Sequence, residues 1–313
     1  MLLFILSMTL KQGGKEMGKI LIGTCSWTDP TLIGCGRFYP SWAKSAEARL
    51  VHYSSQFRLV EVDSSYYSLP NEKTSRLWVE RTPDNFTFDV KAFRLFTQHP
   101  TPLAALPTDL RYTLPAELKG KTNVYQREMP DELLGELWRR FERALLPLDS
   151  MGKLGVVLFQ FPPWFFPGSA QRQYILECKE RLTQYRLAIE FRNNAWLNEK
   201  NEKQNLDFLR ENDLPLVCVD EPQGFKSSVP PIAEVTSDIS LVRFHGRNRA
   251  MWERRGITPA ERFDYLYTKE ELQEWVPRLR RLASETQQLH ILFNNCRDDK
   301  AVVNARQIGL MLD

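Results

Sequence analysis

Histidine is scarce, cysteine is scattered, and each shortage removes a class of function. Only four histidines occur in 313 residues (His52, His99, His245 and His290), so an imidazole-rich multi-zinc centre would need most of them to converge. The five cysteines (Cys25, Cys35, Cys178, Cys218 and Cys296) are odd in number and form no C-x-x-C pair. That argues against a disulfide framework or zinc ribbon and points to a reducing, cytoplasmic setting. There is no G-x-G-x-x-G after the first strand-like run, no G-x-S-x-G elbow, no Walker loop and no D-x-D on a strand to hold Mg²⁺. Neither a metal nor a cofactor is expected. Charge of one sign is lacking too: 42 basic residues face 39 acidic ones, a net +3, so no global field recruits nucleic acid or an anionic membrane. The apolar Met1–Leu10 is far shorter than the roughly 20 residues that span a bilayer, and Lys11 and Lys15 follow it instead of preceding it. Residues 1–16 read as a dispensable tail or upstream start.

What is present is globular. Apolar residues make up 42 %, charged residues 26 % and aromatics 12 %, enough for a large core. Eight short β-branched or aromatic runs recur: Ile20–Cys25, Arg58–Asp63, Phe86–Lys91, Leu154–Gln160, Leu187–Phe191, Pro215–Asp220, Leu241–His245 and Leu289–Asn294. Amphipathic stretches lie between most of them, such as Ala46–Gln56, Asn71–Arg81, Asp131–Leu146 and Thr268–Thr286. Thr268 with Glu271 three residues on has the spacing of a capping box. Eight strands alternating with helices predict an α/β fold, a single (β/α)8 TIM barrel over residues 17–313. Residues 93–130, rich in proline, form a long insertion after strand 3, on the catalytic face of such a barrel.

Strand side chains alternate between helix layer and barrel interior. In L-V-E-V-D the valines suit the helix layer, which turns Glu61 and Asp63 inward. The same parity turns Asp89, Lys91, Glu190, Arg192, Arg243 and His245 inward, and Gln160, Asp220 and Asn294 close three further strands. Seven of the eight strands thus end in a polar residue of interior parity. Any one of these fits a structural ion pair. A whole ring is expensive to bury, at several kcal/mol per ion, which favours a functional pocket.

The same motifs resemble the YecE-like family, called domain of unknown function 72. They are Gly23-Thr24-Cys25-Ser26-Trp27 with Phe38-Tyr39-Pro40, Val60-Glu61-Val62-Asp63-Ser64-Ser65-Tyr66-Tyr67 with Pro70, and Phe159-Gln160-Phe161-Pro162-Pro163. Further along come Ile189-Glu190-Phe191-Arg192 with Trp196, Val219-Asp220-Glu221-Pro222, Val242-Arg243-Phe244-His245-Gly246-Arg247 and Phe293-Asn294-Asn295. The resemblance implies a TIM barrel and, since the family's role is not established, no reaction. Two departures stand out: the family usually reads G-T-S-G-W where this chain has Cys25 and Ser26, and more often carries Asn where Asp63 stands.

The candidate catalytic residues are Glu61, Glu190 and His245, as acid/base groups. Lys91, Gln160, Arg192, Asp220, Arg243, Asn294 and Asn295 are candidates to hold the ligand, with Trp27, Tyr67 and Trp196 either stacking on it or capping the core. Cys25 reads as a nucleophile or a small buried residue. The mixed set suits a small anionic ligand, phosphorylated or sugar-like, and hence a hydrolase, lyase or isomerase. A nucleic-acid-binding or nucleic-acid-processing barrel is the alternative, resting on the basic strip Arg243–Arg255. No membrane partner is expected.

Overall fold

Eight parallel strands, spaced along the chain by helices at all connections but one, roll into one barrel. The computed structural model describes residues 11–12 and 15–313, so the expectation for the tail falls largely outside the described residues. The strands are β1 (Lys19–Cys25), β2 (Leu59–Val62), β3 (Thr87–Lys91), β4 (Leu154–Gln160), β5 (Leu187–Glu190), β6 (Val217–Asp220), β7 (Ile239–Phe244) and β8 (Gln288–Phe293). They pair in the order β6-β7-β8-β1-β2-β3-β4-β5, and a parallel bridge between Ile189 and Leu216 closes the circle. All eight runs expected from the sequence are strands, with ends within two residues of the expected ones.

The helices start where local chemistry satisfies their free N–H groups. Ser45 Oγ accepts from Ala48 N at 3.0 Å to open Ala46–Gln56, and Asn71 Oδ1 accepts from Thr74 N at 2.9 Å to open Glu72–Glu80. Thr268 and Glu271 form the reciprocal capping box that their spacing predicts, opening Lys269–Glu285. Between β6 and β7 there is no helix. Pro222, Pro230 and Pro231 break any helical run, and the segment lies over β6 as a strap, with Leu216 N donating to Thr236 Oγ1 at 2.7 Å and Val229 and Ala233 buried.

The insertion after β3 is packed. Leu106, Leu110, Leu114 and Leu118, four apart, are all buried in a chain of short helical turns that includes Thr108–Tyr112 and Ala116–Lys119. Phe96 stacks on Trp138 at 3.7 Å and anchors the insertion to the long helix Asp131–Ser150. Among the described residues no helix is long and apolar enough to cross a membrane.

The barrel interior is layered. At its floor His290 Nδ1 meets Asp89 Oδ2 at 2.9 Å, both side chains fully buried. Gly155 makes room for them, since a Cβ there would stand 2.3 Å from Asp89 Oδ1. Above the floor Leu59 and Leu292, with Leu21 and Cys25 of β1 on either side of them, form a small apolar cluster. The polar ring comes next, at the C-terminal ends of the strands.

Candidate functional site

Register decides which strand-end residues meet. Cys25 lies opposite Glu61, Glu61 opposite Asp89 and Gln160 opposite Glu190, so all of these face inward together. Arg243 is the centre. Its Nη2 donates to Glu61 Oε1 at 2.7 Å, its Nη1 to Glu190 Oε2, and it reaches Gln160 Oε1 at 3.3 Å and Cys25 Sγ at 3.5 Å. Glu190 Oε1 has Arg192 Nε at 3.1 Å and His245 Nε2 at 3.3 Å. Asn294 Nδ2 donates to His245 Nδ1 at 2.9 Å; an amide N–H cannot accept, so the neutral ring carries its proton on Nε2. Lys91 Nζ pairs with Asp63 Oδ1 at 3.0 Å under the Tyr66 ring. An Asn at position 63, as the family more often has, would leave this ammonium without its carboxylate.

Glu61, Glu190, Arg243 and His245 are at most 1 % exposed. Yet Glu61 Oε2, Glu190 Oε1, Arg243 Nε and His245 Nε2 have no well-aligned hydrogen-bond partner among the described residues. Burial without a partner is costly for each atom. Neighbouring charges then push the two carboxyl groups apart in acidity. Burial raises both; for Glu61 it prevails over Arg243 and the pKa stays above the ordinary value. For Glu190 the charges of Arg243 and Arg192, with a hydrogen bond from His245, outweigh burial and hold it well below. Burial, reinforced by Arg192, drives His245 down to about 3, so its ring is neutral. Cys25 is pushed well up by burial and by Glu61, which makes it a thiol and removes it as a nucleophile at neutral pH.

Four expected ligand-holding residues lie elsewhere. Val219 is the residue opposite Arg243, and Asp220 lies opposite Phe244, so Asp220 faces the helix layer. There it accepts from Trp275 Nε1 and Tyr267 Oη, each at 2.7 Å, and from Arg247. Asn295 likewise points away from the ring, donating to Tyr265 O and Asn304 Oδ1. Trp27 packs edge-on against Trp78 and Phe88, outside the barrel. Trp196 stacks on Phe191 at 4.1 Å and is fully buried. These aromatics cap the core because flat side chains behind outward-facing strand residues bury more apolar area there than at a wet mouth. Tyr67 is half exposed, beside Tyr66.

Sequence reasoning missed Glu221. It takes the inward place that Asp220 does not, is 2 % exposed, binds Arg192 Nη1 through Oε2 and accepts from Val229 N at 2.8 Å. Burial prevails over Arg192 and pushes its pKa up to about 7. The signal was the frame of V-C-V-D-E-P: one residue further along, the alternation lands on a second carboxylate.

Ser26, just past β1, has φ of 86°, a conformation that favours glycine, the residue the family usually has there. Strain of this kind costs about 1–3 kcal/mol. In urea melts Ser26→Gly should hold or raise stability, whereas Ser26→Val should lower it by about 2 kcal/mol; equal effects of the two changes would refute the strain.

The fold and ring define a class: a single-domain (β/α)8 barrel with a buried ring of carboxylates and arginines at the C-terminal strand ends. The chain belongs to the family described as "Protein of unknown function DUF72", which matches residues 21–313. It is 33 % identical over 299 residues to UPF0759 protein YunF of Bacillus subtilis (strain 168), covering 94 % of this chain and 95 % of that one. It is also similar to the crystal structure of a DUF72 family protein from Enterococcus faecalis V583 (TM-score 0.73, 27 % identity, 94 % and 95 % of the two chains). A DUF72 family protein from Thermotoga maritima MSB8 gives a TM-score of 0.70 at 28 % identity over 94 % and 98 %.

Proposed function

We propose that the protein is an enzyme that acts on a small hydroxylated, sugar-like molecule by general acid/base chemistry in the Glu61–Arg243–Glu190 ring. The observation that carries this reading is a set of four polar atoms on side chains at most 1 % exposed: among the described residues Glu61 Oε2 and Arg243 Nε have no hydrogen-bond partner, and Glu190 Oε1 has only poorly aligned contacts with Arg192 Nε and His245 Nε2. Two carboxyl groups whose environments push their acidities apart are the signature of separate acid and base roles. Glu61, with the raised pKa, exchanges a proton with the ligand. Glu190 stays an anion and balances charge that develops beside it. His245 donates from Nε2, and Lys91, Gln160, Arg192 and Asn294 orient hydroxyl groups. The reading requires no cofactor.

Charge favours the sugar-like ligand over the phosphorylated one. Each cation of the ring already has a carboxylate: Arg243 has Glu61 and Glu190, Arg192 has Glu190 and Glu221, and Lys91 has Asp63. A phosphate would meet spent cations and four carboxylates, whereas a hydroxyl both donates and accepts. Arg247, beyond β7, is likewise committed to Asp220, Glu271 and Glu274, which leaves less of the strip Arg243–Arg255 for nucleic acid.

The test is a calorimetric screen of xylose, glucose and mannose beside their phosphate esters, with products followed by mass spectrometry. A free sugar should bind more tightly than its ester. Because an amide mimics a protonated carboxyl, Glu61→Gln should keep the fold and binding within about threefold while turnover falls by at least about 100-fold. Binding of the esters alone, or of DNA or RNA with a steep salt dependence, would overturn the reading.

A further inference from the structure

Beside the ring, a cleft of about 440 Å³ opens between the insertion and the loop after β4, lined by Gln98, Pro100, Tyr125, Gln126, Arg127 and Trp164. That is within the range small ligands fill, about 300–1,000 Å³. Trp164 follows Gln160 of β4 closely and Gln98 follows Lys91 of β3, so the cleft lies on the same face as the ring. A chain of rings links the two places. Trp164 meets His99 at 5.7 Å, His99 meets Tyr66 at 5.3 Å, and Tyr66 lies over Lys91 Nζ at 4.7 Å.

The lining has a definite chemistry. Trp164 is 53 % and Tyr125 38 % exposed, an unusual exposure for large aromatic surface. Arg127 covers one face of the Tyr125 ring. No carboxylate is among the lining residues, and the two carboxamides each offer one donor edge and one acceptor. Gln98 is also held at φ 59°, a conformation uncommon for a non-glycine residue. An indole face suits the C–H face of a sugar ring, with the carboxamides at its hydroxyl rim.

We propose that this cleft is a second subsite, which holds the distal ring of a disaccharide or longer glycoside. Its reach into the Glu61–Arg243–Glu190 ring rests on the function proposed above; binding in the cleft does not. The experiment is isothermal titration of the full chain with cellobiose, maltose, N,N′-diacetylchitobiose, glucose and adenosine, with saturation-transfer NMR showing which sugar ring touches protein. At least one disaccharide should bind more tightly than glucose. Trp164→Ala, an exposed change, should weaken it by at least about tenfold, and Trp164→Phe should retain it within about threefold. No disaccharide binding, binding indifferent to Trp164→Ala, or a preference for adenosine would each overturn the subsite, the last in favour of nucleobase stacking. Disaccharide binding that depends on Trp164 but shows no contact at the inner sugar ring would uphold the subsite and overturn the ring's proposed role.

Discussion

Arg243→Met should lower the unfolding free energy by about 3–5 kcal/mol at pH 7, the range for removing one partner of a buried ion pair. Arg243 is 1 % exposed and bridges Glu61 and Glu190, both fully buried. Methionine fills similar space but leaves two carboxylates facing each other, with only Arg192 and His245 near Glu190. The penalty has a definite pH dependence. Without the guanidinium, folded-state carboxyl pKa values rise above their unfolded value of about 4.3. A carboxyl with a raised folded pKa destabilises above the unfolded pKa, and that cost fades as pH falls through the folded value. In the wild type Glu190, held well below the ordinary value, contributes stability that is lost only below the unfolded pKa and is therefore constant from pH 7 to pH 5. The gap between the two proteins should therefore narrow from pH 7 to pH 5. Denaturant melts at both pH values measure it; a loss under about 1 kcal/mol, or a gap that stays constant, would refute the bridging role.

A second large effect concerns His245. Its ring is held neutral, with a pKa pushed down to about 3 by burial and by Arg192, against about 6.5 unfolded. Between those values the unfolded chain takes up a proton that the folded one refuses, so stability falls as pH falls. From pH 7 to pH 5 one such group removes about 2 kcal/mol. His99 is depressed to about 3 by burial as well and acts in the same direction, while the raised Glu61 and Glu221 oppose it. A difference measurement isolates the one residue: His245→Gln can still accept from Asn294 and donate toward Glu190. Between pH 7 and pH 5 it should lose about 2 kcal/mol less than wild type. Parallel stability curves would show that His245 is not held neutral.

The fold was legible because eight strands carry dense β-branched or aromatic runs, seven of them with polar ends, and because helix starts such as Thr268 with Glu271 are chemical and local. The interior parity of Glu61, Glu190 and Arg243 was legible for the same reason: a charge flanked by valine or phenylalanine can face only one way. Asp220 was not. Strands of a parallel sheet are apolar on both faces, so V-C-V contains nothing that marks its frame. The register with β7, set by the shear of the whole barrel, puts Val219 beside Arg243 and hands the inward place to Glu221. Trp27 and Trp196 were ambiguous because an aromatic after a strand serves core and mouth equally in sequence. The insertion's leucines were visible at a spacing of four, but five prolines masked the turns they support.

The circle of strands is unevenly fastened. Seven of its joints are ladders, six of them continuous and the β3–β4 one shifted in register between Phe88 and Val90, whereas β5 and β6 meet through the Ile189–Leu216 bridge, with Ile189 N donating to Pro215 O at 2.8 Å, and the crossover beyond β6 has no helix to brace it. Mechanically the molecule is a rolled sheet with one stitched seam, and its compliance is concentrated there. Arg192 extends from one side of that seam and Glu221 from the other. Their ion pair is a clasp across the joint, so Arg192, which helps hold Glu190 ionised, also holds the roll shut, and a proton taken up by Glu221 would weaken the clasp.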